Sequence, residues 1–145
     1  MTSYVLDASV AAKWFLPTSQ EPFAAEARMV LSRFSSGDCN LLVPDLFWSE
    51  IANILWKSVR LGRLSRTSCD AAVQTLERSG IRTFPTLPLL KDALVIALTF
   101  KRPIYDCQYL ALAMESNFPM LTADERLANA LGARFPIRWL GTVTL

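Results

Sequence analysis

The chain of 145 residues is 52% apolar and 19% charged, carries a net charge of +2 and contains no histidine. We expect one domain, residues 1–145, built around a single core, with some apolar surface left for an interface. The missing imidazole excludes Ser-His and Cys-His hydrolases, histidine-pair nucleases and most catalytic zinc sites, so a hydrolase of this sequence needs carboxylates and hard metal ions.

Short apolar segments alternate with longer helical patterns along the chain. Strands are predicted at residues 4–6, 41–43, 82–84, 120–122 and 138–140, and helices at 8–15, 21–35, 44–60, 65–80, 89–100, 106–115 and 124–131. Pro17 ends the first helix, Gly62 closes the third, and Ser65 is a good N-cap for the fourth. The alternation predicts a three-layer α/β/α sandwich with a central, mainly parallel sheet.

Four acidic residues stand out against this pattern. Asp7 ends the first strand, Asp124 follows the strand 120–122 by two residues, and Asp106 opens a helix. In such folds the ligand site lies beyond the carboxyl ends of the strands. Glu50 lies instead within the apolar stripe of the third helix, where a carboxylate is costly unless it is paired or bound to a metal. We therefore expect one acidic pocket that contains all four.

Carboxylates brought this close together repel and raise one another's pKa unless a cation neutralises them. Oxygen ligands favour Mg²⁺ or Mn²⁺. Two such ions about 4 Å apart can activate a water and stabilise the leaving oxygen in phosphodiester hydrolysis.

Each acid also has an ordinary structural interpretation. Asp106 and Asp124 could be helix N-caps. Glu50 could form a buried pair with an arginine, and Asp7 could belong to a turn or a cap. The other acids are assigned away from the pocket: Asp45 caps the third helix, and Asp92, Glu115 and Glu125 are solvated surface residues.

Four segments stand in a characteristic order along essentially the whole chain. They are Val5–Ser9, Pro44–Glu50 with Asn53 one turn on, Asp106–Ala113 and Leu121–Asp124. Together they resemble the PIN domain, and most closely the VapC-type toxins of bacterial toxin–antitoxin pairs.

The resemblance implies a Mg²⁺- or Mn²⁺-dependent endoribonuclease that cleaves single-stranded or loop RNA. Asp7, Glu50 and Asp106 match the three firmest acidic positions of the family. Asp124 matches a fourth, less uniform position, for which Glu125 could substitute in part. The resemblance thus implies that Asp7, Glu50, Asp106 and Asp124 are both the catalytic residues and the metal ligands.

Further polar residues are candidates for orienting or binding the substrate. Ser9, Asn53 and Thr122 match family positions that orient the carboxylates or the metal-bound water, although Ser9 and Thr122 could also cap turns. Lys13 lies one or two turns past Asp7. Lys101 and Arg102 lie just before Asp106, where they could hold a phosphate.

Basic and aromatic residues predict interaction surfaces. Lys57, Arg60, Arg63 and Arg66 recur every three residues; they could bind RNA phosphates or an acidic partner segment, or form a solvated basic face. The resemblance implies that the cognate antitoxin inserts a basic side chain among the acids, and that the chain forms a homodimer. About half of the following aromatic residues should lie in the core and the rest at these interfaces: Trp14, Phe15, Phe47, Trp48 and Trp56.

Two other classes of protein fit the sequence less well. A receiver domain usually carries paired acids near its first strand and a late lysine, whereas Asp7 is single and no lysine follows Lys101. A non-catalytic binding module would have no need of all four acids. DNA-directed relatives of the PIN domain are mechanistically close but usually longer.

The sequence also carries signals of location. The three scattered cysteines suit a reducing compartment, no apolar run of about 18 residues is present, and residues 1–4 lack the layout of a signal peptide. We therefore expect a cytoplasmic protein with no membrane span.

Overall fold

The computed structural model describes residues 1–143, so the last two residues of the predicted domain, 144 and 145, lie outside the described part. Five strands form the sheet: β1 (Thr2–Leu6), β2 (Cys39–Pro44), β3 (Arg82–Phe84), β4 (Met120–Thr122) and β5 (Ile137–Trp139). Seven α-helices accompany them in the described residues: α1 (Ala8–Ala11), α2 (Ala24–Ser35), α3 (Leu46–Arg60), α4 (Arg66–Glu77), α5 (Leu90–Phe100), α6 (Ile104–Ser116) and α7 (Glu125–Leu131).

The sheet has the order β3-β2-β1-β4-β5, and every neighbouring pair is parallel. The chain first adds β2 and β3 on one side of β1 and later adds β4 and β5 on the other. Because the connections between parallel strands are right-handed, this change of direction places helices on both faces of the sheet. The predicted three-layer α/β/α sandwich is therefore confirmed. The carboxyl ends of β1 and β4 are adjacent, with Leu6 opposite Leu121.

The core lies at the centre of the sheet and along α6. Val5 and Leu6 of β1 are fully buried. Helix α6 is buried continuously from Cys107 to Ala113 and packs on β1, β2 and β4. Its apolar residues lie all round the helix, as expected for a helix covered on every side. Residues at the start of α6 are thereby fixed against the end of β1.

Several predicted boundaries differ from the observed ones. The second helix begins at Ala24 rather than at residue 21, because Phe23 before it has a left-handed backbone with φ +58°. A 3-10 turn, Ala12–Trp14, replaces the end of the first helix. Helix α6 begins at Ile104, so Asp106 lies in its first turn rather than at its start. Strand β5 ends one residue earlier than predicted, and α4 ends before Gly80.

The assignment of Asp45 to capping was wrong. Asp45 occupies the position before α3, but its backbone is already helical and its side chain accepts no capping hydrogen bond. Ser65, by contrast, accepts a hydrogen bond from the backbone N–H of Ser68 and caps α4 as predicted. None of the helices within residues 1–143 is long and apolar enough to cross a membrane.

Candidate active site

Asp7 lies directly after β1, beside the end of β4. Its backbone N–H donates to the carbonyl of Leu121 at 3.0 Å, which continues the pairing of the two strands by one residue. Thr122, at the end of β4, is fully buried, and its hydroxyl donates to Oδ2 of Asp7 at 2.8 Å. The parallel register therefore brings together two residues that are 115 positions apart in the chain.

A second hydroxyl completes the support of Asp7. Ser9 Oγ donates to the same Oδ2 at 2.8 Å and accepts a hydrogen bond from the backbone N–H of Ala123 at 3.1 Å. Thr122 Oγ1 in turn accepts from the backbone N–H of Asp124 at 3.0 Å. Each hydroxyl thus donates to the carboxylate and accepts from the loop after β4, so the two strand ends are tied around Oδ2.

Glu50 is held by a residue that the sequence analysis missed. The hydroxyl of Tyr109, on α6, donates to Oε1 of Glu50 at 2.7 Å. Tyr109 is only 1% exposed, so its ring is locked in the core and its hydroxyl has little freedom. Within residues 1–143, no arginine pairs with Glu50, so that alternative is set aside. The available signal was a tyrosine three residues after Asp106, at the start of the apolar run that continues to Met114.

Asp106 lies within reach of Arg102, one turn earlier. Arg102 Nη2 lies 3.6 Å from Asp106 Oδ2, and both side chains are about one-quarter to one-third exposed. Nε of Arg102 is buried and has no hydrogen-bond partner among the described residues. Lys101, in a left-handed conformation with φ +56°, ends α5 and turns the chain so that Arg102 faces Asp106.

Asp124 has the ordinary role of a helix cap. Its Oδ1 accepts a hydrogen bond from the backbone N–H of Leu127 at 3.1 Å, at the start of α7. The residue is exposed, and so is Glu125 beside it. The N-cap interpretation offered from the sequence thus holds for Asp124, and any further role requires the side chain to leave the cap.

The acids perturb one another. Burial raises the pKa of Asp7, the charge of Asp106 raises it further, and the hydrogen bonds from Thr122 and Ser9 oppose the rise. Burial likewise raises the pKa of Glu50, to which Asp7 and Asp106 add. The pKa of Asp106 is raised by burial and then by Asp124, against the opposing charge of Arg102. Asp106 thus links the four carboxylates, since its charge acts on Asp7 and Glu50 and the charge of Asp124 acts on it.

Two predicted residues make no hydrogen bond or ion pair with these acids among the described residues. Lys13 is buried, and its Nζ lies 3.8 Å from Glu21 Oε1. Asn53 is exposed on α3 and makes no side-chain hydrogen bond among the described residues. Of the five polar and basic candidates, Ser9, Thr122 and Arg102 thus bond or pair with one of the four acids of the site, whereas Lys13 pairs with Glu21 and Asn53 makes no such contact among the described residues.

Of the five aromatic residues, two lie in the core, two pack against it and one is exposed. Phe47 and Trp14 are buried in the core. Phe15 and Trp48 are half-buried and pack against it. Trp56 is 52% exposed on α3.

The donor chemistry of the site suits a hard cation, since every candidate ligand is a carboxylate oxygen. Within residues 1–143, however, no three acidic, cysteine or histidine side chains are gathered closely enough to hold a metal ion as they stand. Asp106 is turned to Arg102 and Asp124 to the start of α7. These two side chains are the ones that would move to complete a metal site.

Comparisons with known proteins give the chain its relatives. The PIN domain matches residues 4–131. Ribonuclease VapC3 of Pyrobaculum aerophilum is 30% identical over 131 residues, which is 89% of this chain and 95% of the relative. Ribonuclease VapC9 of Mycobacterium tuberculosis is 34% identical over 97 residues, which is 67% of this chain and 75% of the relative.

Solved structures share the fold. PAE2754 from Pyrobaculum aerophilum superposes with a TM-score of 0.66 at 23% identity, covering 89% of this chain and 79% of that protein. VapC20 of Mycobacterium tuberculosis, described as a sarcin-ricin loop cleaving toxin, superposes with a TM-score of 0.65 at 14% identity. The match covers 92% of this chain and 96% of VapC20.

Proposed function

This chain belongs to the PIN-domain family, and from that premise we propose that it is a Mg²⁺- or Mn²⁺-dependent endoribonuclease. Its relatives are named VapC ribonucleases, and we propose the same role for it, as the toxin of a toxin–antitoxin pair. One observation carries the proposal. Three partly buried carboxylates, on Asp7, Glu50 and Asp106, lie at the carboxyl edge of a parallel sheet in a chain that has no histidine, where the charge of Asp106 acts on Asp7 and the charges of both act on Glu50.

Asp7, Glu50 and Asp106 would hold the metal, with Asp124 as the fourth ligand. When bound, the ion lowers the pKa of a water molecule and stabilises the leaving oxygen. The chain's own contribution is to fix its oxygens in advance. Two hydroxyls hold Oδ2 of Asp7, and Tyr109 holds Oε1 of Glu50, so the remaining oxygen of each carboxylate faces a defined direction.

Arg102 would change partner during this process. In the described state its guanidinium neutralises part of the charge of Asp106. If Asp106 held a cation, the guanidinium would be free to donate to a phosphate oxygen, for which its planar fork is well suited. Arg102 would then position the scissile phosphate beside the acids.

We further propose single-stranded or loop RNA as the substrate, a cognate antitoxin as the protein partner, and a homodimer as the assembly. Leu90, Leu94 and Leu98 recur every four residues along α5 and are 42%, 52% and 74% exposed. An apolar stripe of this kind is typical of a surface that another protein covers. Production of the chain alone should halt bacterial growth, and its antitoxin should restore it.

The test of catalysis is Asp7→Asn. It removes the negative charge but keeps an oxygen for Ser9 and Thr122, so we expect a folded protein with no measurable RNA cleavage. EDTA should stop cleavage by the unchanged protein, and added Mn²⁺ should restore it. Cleavage is followed on labelled single-stranded RNA, with single-stranded DNA of the same sequence as the comparison.

Each outcome bears on a different part of the proposal. Cleavage retained by Asp7→Asn in a preparation free of contaminating ribonuclease would remove Asp7 from the mechanism, and cleavage that resists EDTA would remove the metal. No cleavage by the unchanged protein with Mn²⁺ would favour the non-catalytic binding module. Faster cleavage of DNA than of RNA would favour a DNA-directed enzyme.

A further inference from the structure

We propose that the outer face of α3, defined by Asn53, Trp56, Lys57 and Arg60, binds the RNA strand that leads away from the scissile bond. The inference rests on the proposed ribonuclease function and adds to it the path of the flanking nucleotides. Its basis is the juxtaposition, on one helix, of the carboxylate of Glu50, an exposed indole and two exposed cations that form no ion pair among the described residues.

Helix geometry places these residues in line with the acidic site. An α-helix has 3.6 residues per turn, so residues three or four apart share a face. Glu50, Asn53, Lys57 and Arg60 follow one another at spacings of three, four and three. At about 1.5 Å per residue, Lys57 lies about 10 Å and Arg60 about 15 Å along the axis from Glu50. An RNA strand cleaved beside Glu50 would therefore pass close to both Lys57 and Arg60.

The two cations are available to an external anion. Lys57 and Arg60 are exposed, and neither forms an ion pair within the described part of the chain. Arg66, the last residue of the same basic series, is already paired with Asp70 at 3.0 Å. Phosphates of a nucleic acid are the ligands such unpaired cations bind, with release of counterions.

The exposed ring of Trp56 indicates that the outer face of α3 binds RNA rather than an acidic peptide. Its indole is 52% exposed, and Cζ of Arg60 lies 5.2 Å from the ring centroid. Exposed aromatic rings and guanidinium planes are the surfaces on which splayed bases stack. An acidic peptide would use the charges of Lys57 and Arg60 but has no need of this planar pair.

The test measures RNA binding without cleavage, in the Asp7→Asn protein. The probe is a fluorescent pool of random single-stranded RNA of about twelve nucleotides, within the site sizes of single-strand-binding surfaces. We expect Lys57→Ala/Arg60→Ala to weaken binding on the order of tenfold. It should also reduce the slope of log affinity against log salt by about 1.4, the value for two phosphate contacts. Trp56→Ala should weaken binding by about fivefold or more.

The matched control is Arg28→Ala/Lys91→Ala, which removes the same charge from exposed, unpaired positions on α2 and α5. The control should change affinity by no more than about twofold, because it removes no phosphate contact. Equal loss in the two double variants would overturn the inference, since net charge alone would then explain it. So would unchanged RNA binding by Lys57→Ala/Arg60→Ala together with lost binding of an oligoglutamate peptide, which would make the face a protein-docking surface. Cleavage by the unchanged protein, measured in parallel, distinguishes these outcomes from failure of the ribonuclease proposal itself.

Discussion

The two halves of the acidic site are built differently. In the Asp7 half, one carboxylate oxygen accepts from Ser9 and Thr122, and both hydroxyls are fixed by backbone N–H groups of the loop after β4. In the Asp106 half, Asp106 is held only by a 3.6 Å ion pair, and Asp124 is exposed at a helix start. The first half is preorganised, and the second has side chains free to move.

The difference follows from where each half lies in the fold. Asp7 and Thr122 end adjacent central strands, whose register is fixed by the sheet. Asp106 and Asp124 lie in the first turn or at the cap of helices, where a side chain can change partner without moving the backbone. We infer that the sheet half sets the position of a bound cation and that the helix half closes on it. The predictions below test this division, first at Asp7, then at Glu50 and finally at Asp124.

The largest effect should come from removing both donors to Asp7, in Ser9→Ala/Thr122→Val. The buried carboxylate would lose the hydrogen bonds that oppose the rise of its pKa, and its charged form would become costly. We expect kcat/KM for RNA cleavage to fall on the order of a hundredfold, measured at saturating Mn²⁺. The unfolding free energy should fall by about 1–3 kcal/mol.

Ser32→Ala/Thr75→Val is the control, because both hydroxyls are exposed on helices away from the acids. It should leave cleavage unchanged. Wild-type cleavage by the Ser9→Ala/Thr122→Val protein would contradict the view that the Asp7 half is preorganised by these hydroxyls.

Tyr109→Phe should weaken Mn²⁺ binding by about 10- to 100-fold, the range seen when a supporting hydrogen bond to a metal ligand is lost. Phenylalanine keeps the packing of the buried ring but removes the donor to Glu50. Calorimetric titration of Mn²⁺ into the metal-free protein measures the change directly. Tyr105→Phe removes a hydroxyl from an exposed ring of the same helix and serves as the control. Equal affinities for the two variants would show that Glu50 needs no such support.

The stability of the metal-free protein should decrease as pH rises. Asp7, Glu50 and Asp106 all have raised pKa values in the folded protein. Between the ordinary and the raised pKa, the folded state therefore binds more protons than the unfolded state. The stabilisation is complete below the ordinary pKa values and is lost as pH passes through the raised ones.

Each group contributes a slope of at most about 1.4 kcal/mol per pH unit in its own window. Urea unfolding in EDTA at a series of pH values measures the sum of the slopes. Asp7→Asn should flatten the profile and make the metal-free protein more stable at neutral pH, because a buried charge is removed. A profile that is unchanged by Asp7→Asn would contradict the assigned burial cost of that carboxylate.

The sequence predicted the fold, and the positions of the acids at the ends of elements, because both depend on local patterns. Alternation of apolar strands and amphipathic helices predicted the layers, and strand-to-helix junctions predicted Asp7 and Asp124. The contact between Tyr109 and Glu50 could not be predicted in the same way. It joins α3 to α6 across 59 residues, and nothing in either helix's own periodicity indicates its partner.

For Asp45 and Lys13, by contrast, the local sequence pattern did not predict the contacts of the side chain. Both have plausible local readings, as a cap and as a substrate contact. Backbone dihedrals that are already helical deprive Asp45 of the capping geometry. The position of Glu21, in a loop whose conformation the sequence does not specify, decides where Lys13 points.

The smallest effect should come from Asp124, and two substitutions separate its possible roles. Asp124→Ala removes both the cap and the charge, so the unfolding free energy should fall by about 1 kcal/mol. Asp124→Asn keeps a side-chain oxygen for the N–H of Leu127 and should leave stability nearly unchanged, because asparagine caps helices as well as aspartate does. If Asp124 is the fourth ligand, both variants should reduce Mn²⁺ affinity alike.

Glu125→Gln is the matched control, since it removes one charge from the neighbouring exposed residue without touching the cap. Loss of Mn²⁺ affinity in Asp124→Asn but not in Glu125→Gln would place a ligand in the movable half of the site. Loss of Mn²⁺ affinity in Glu125→Gln alone would identify Glu125 as the ligand instead. If neither variant changes the affinity, the cation is held by Asp7, Glu50 and Asp106, and Asp124 serves the fold through the start of α7.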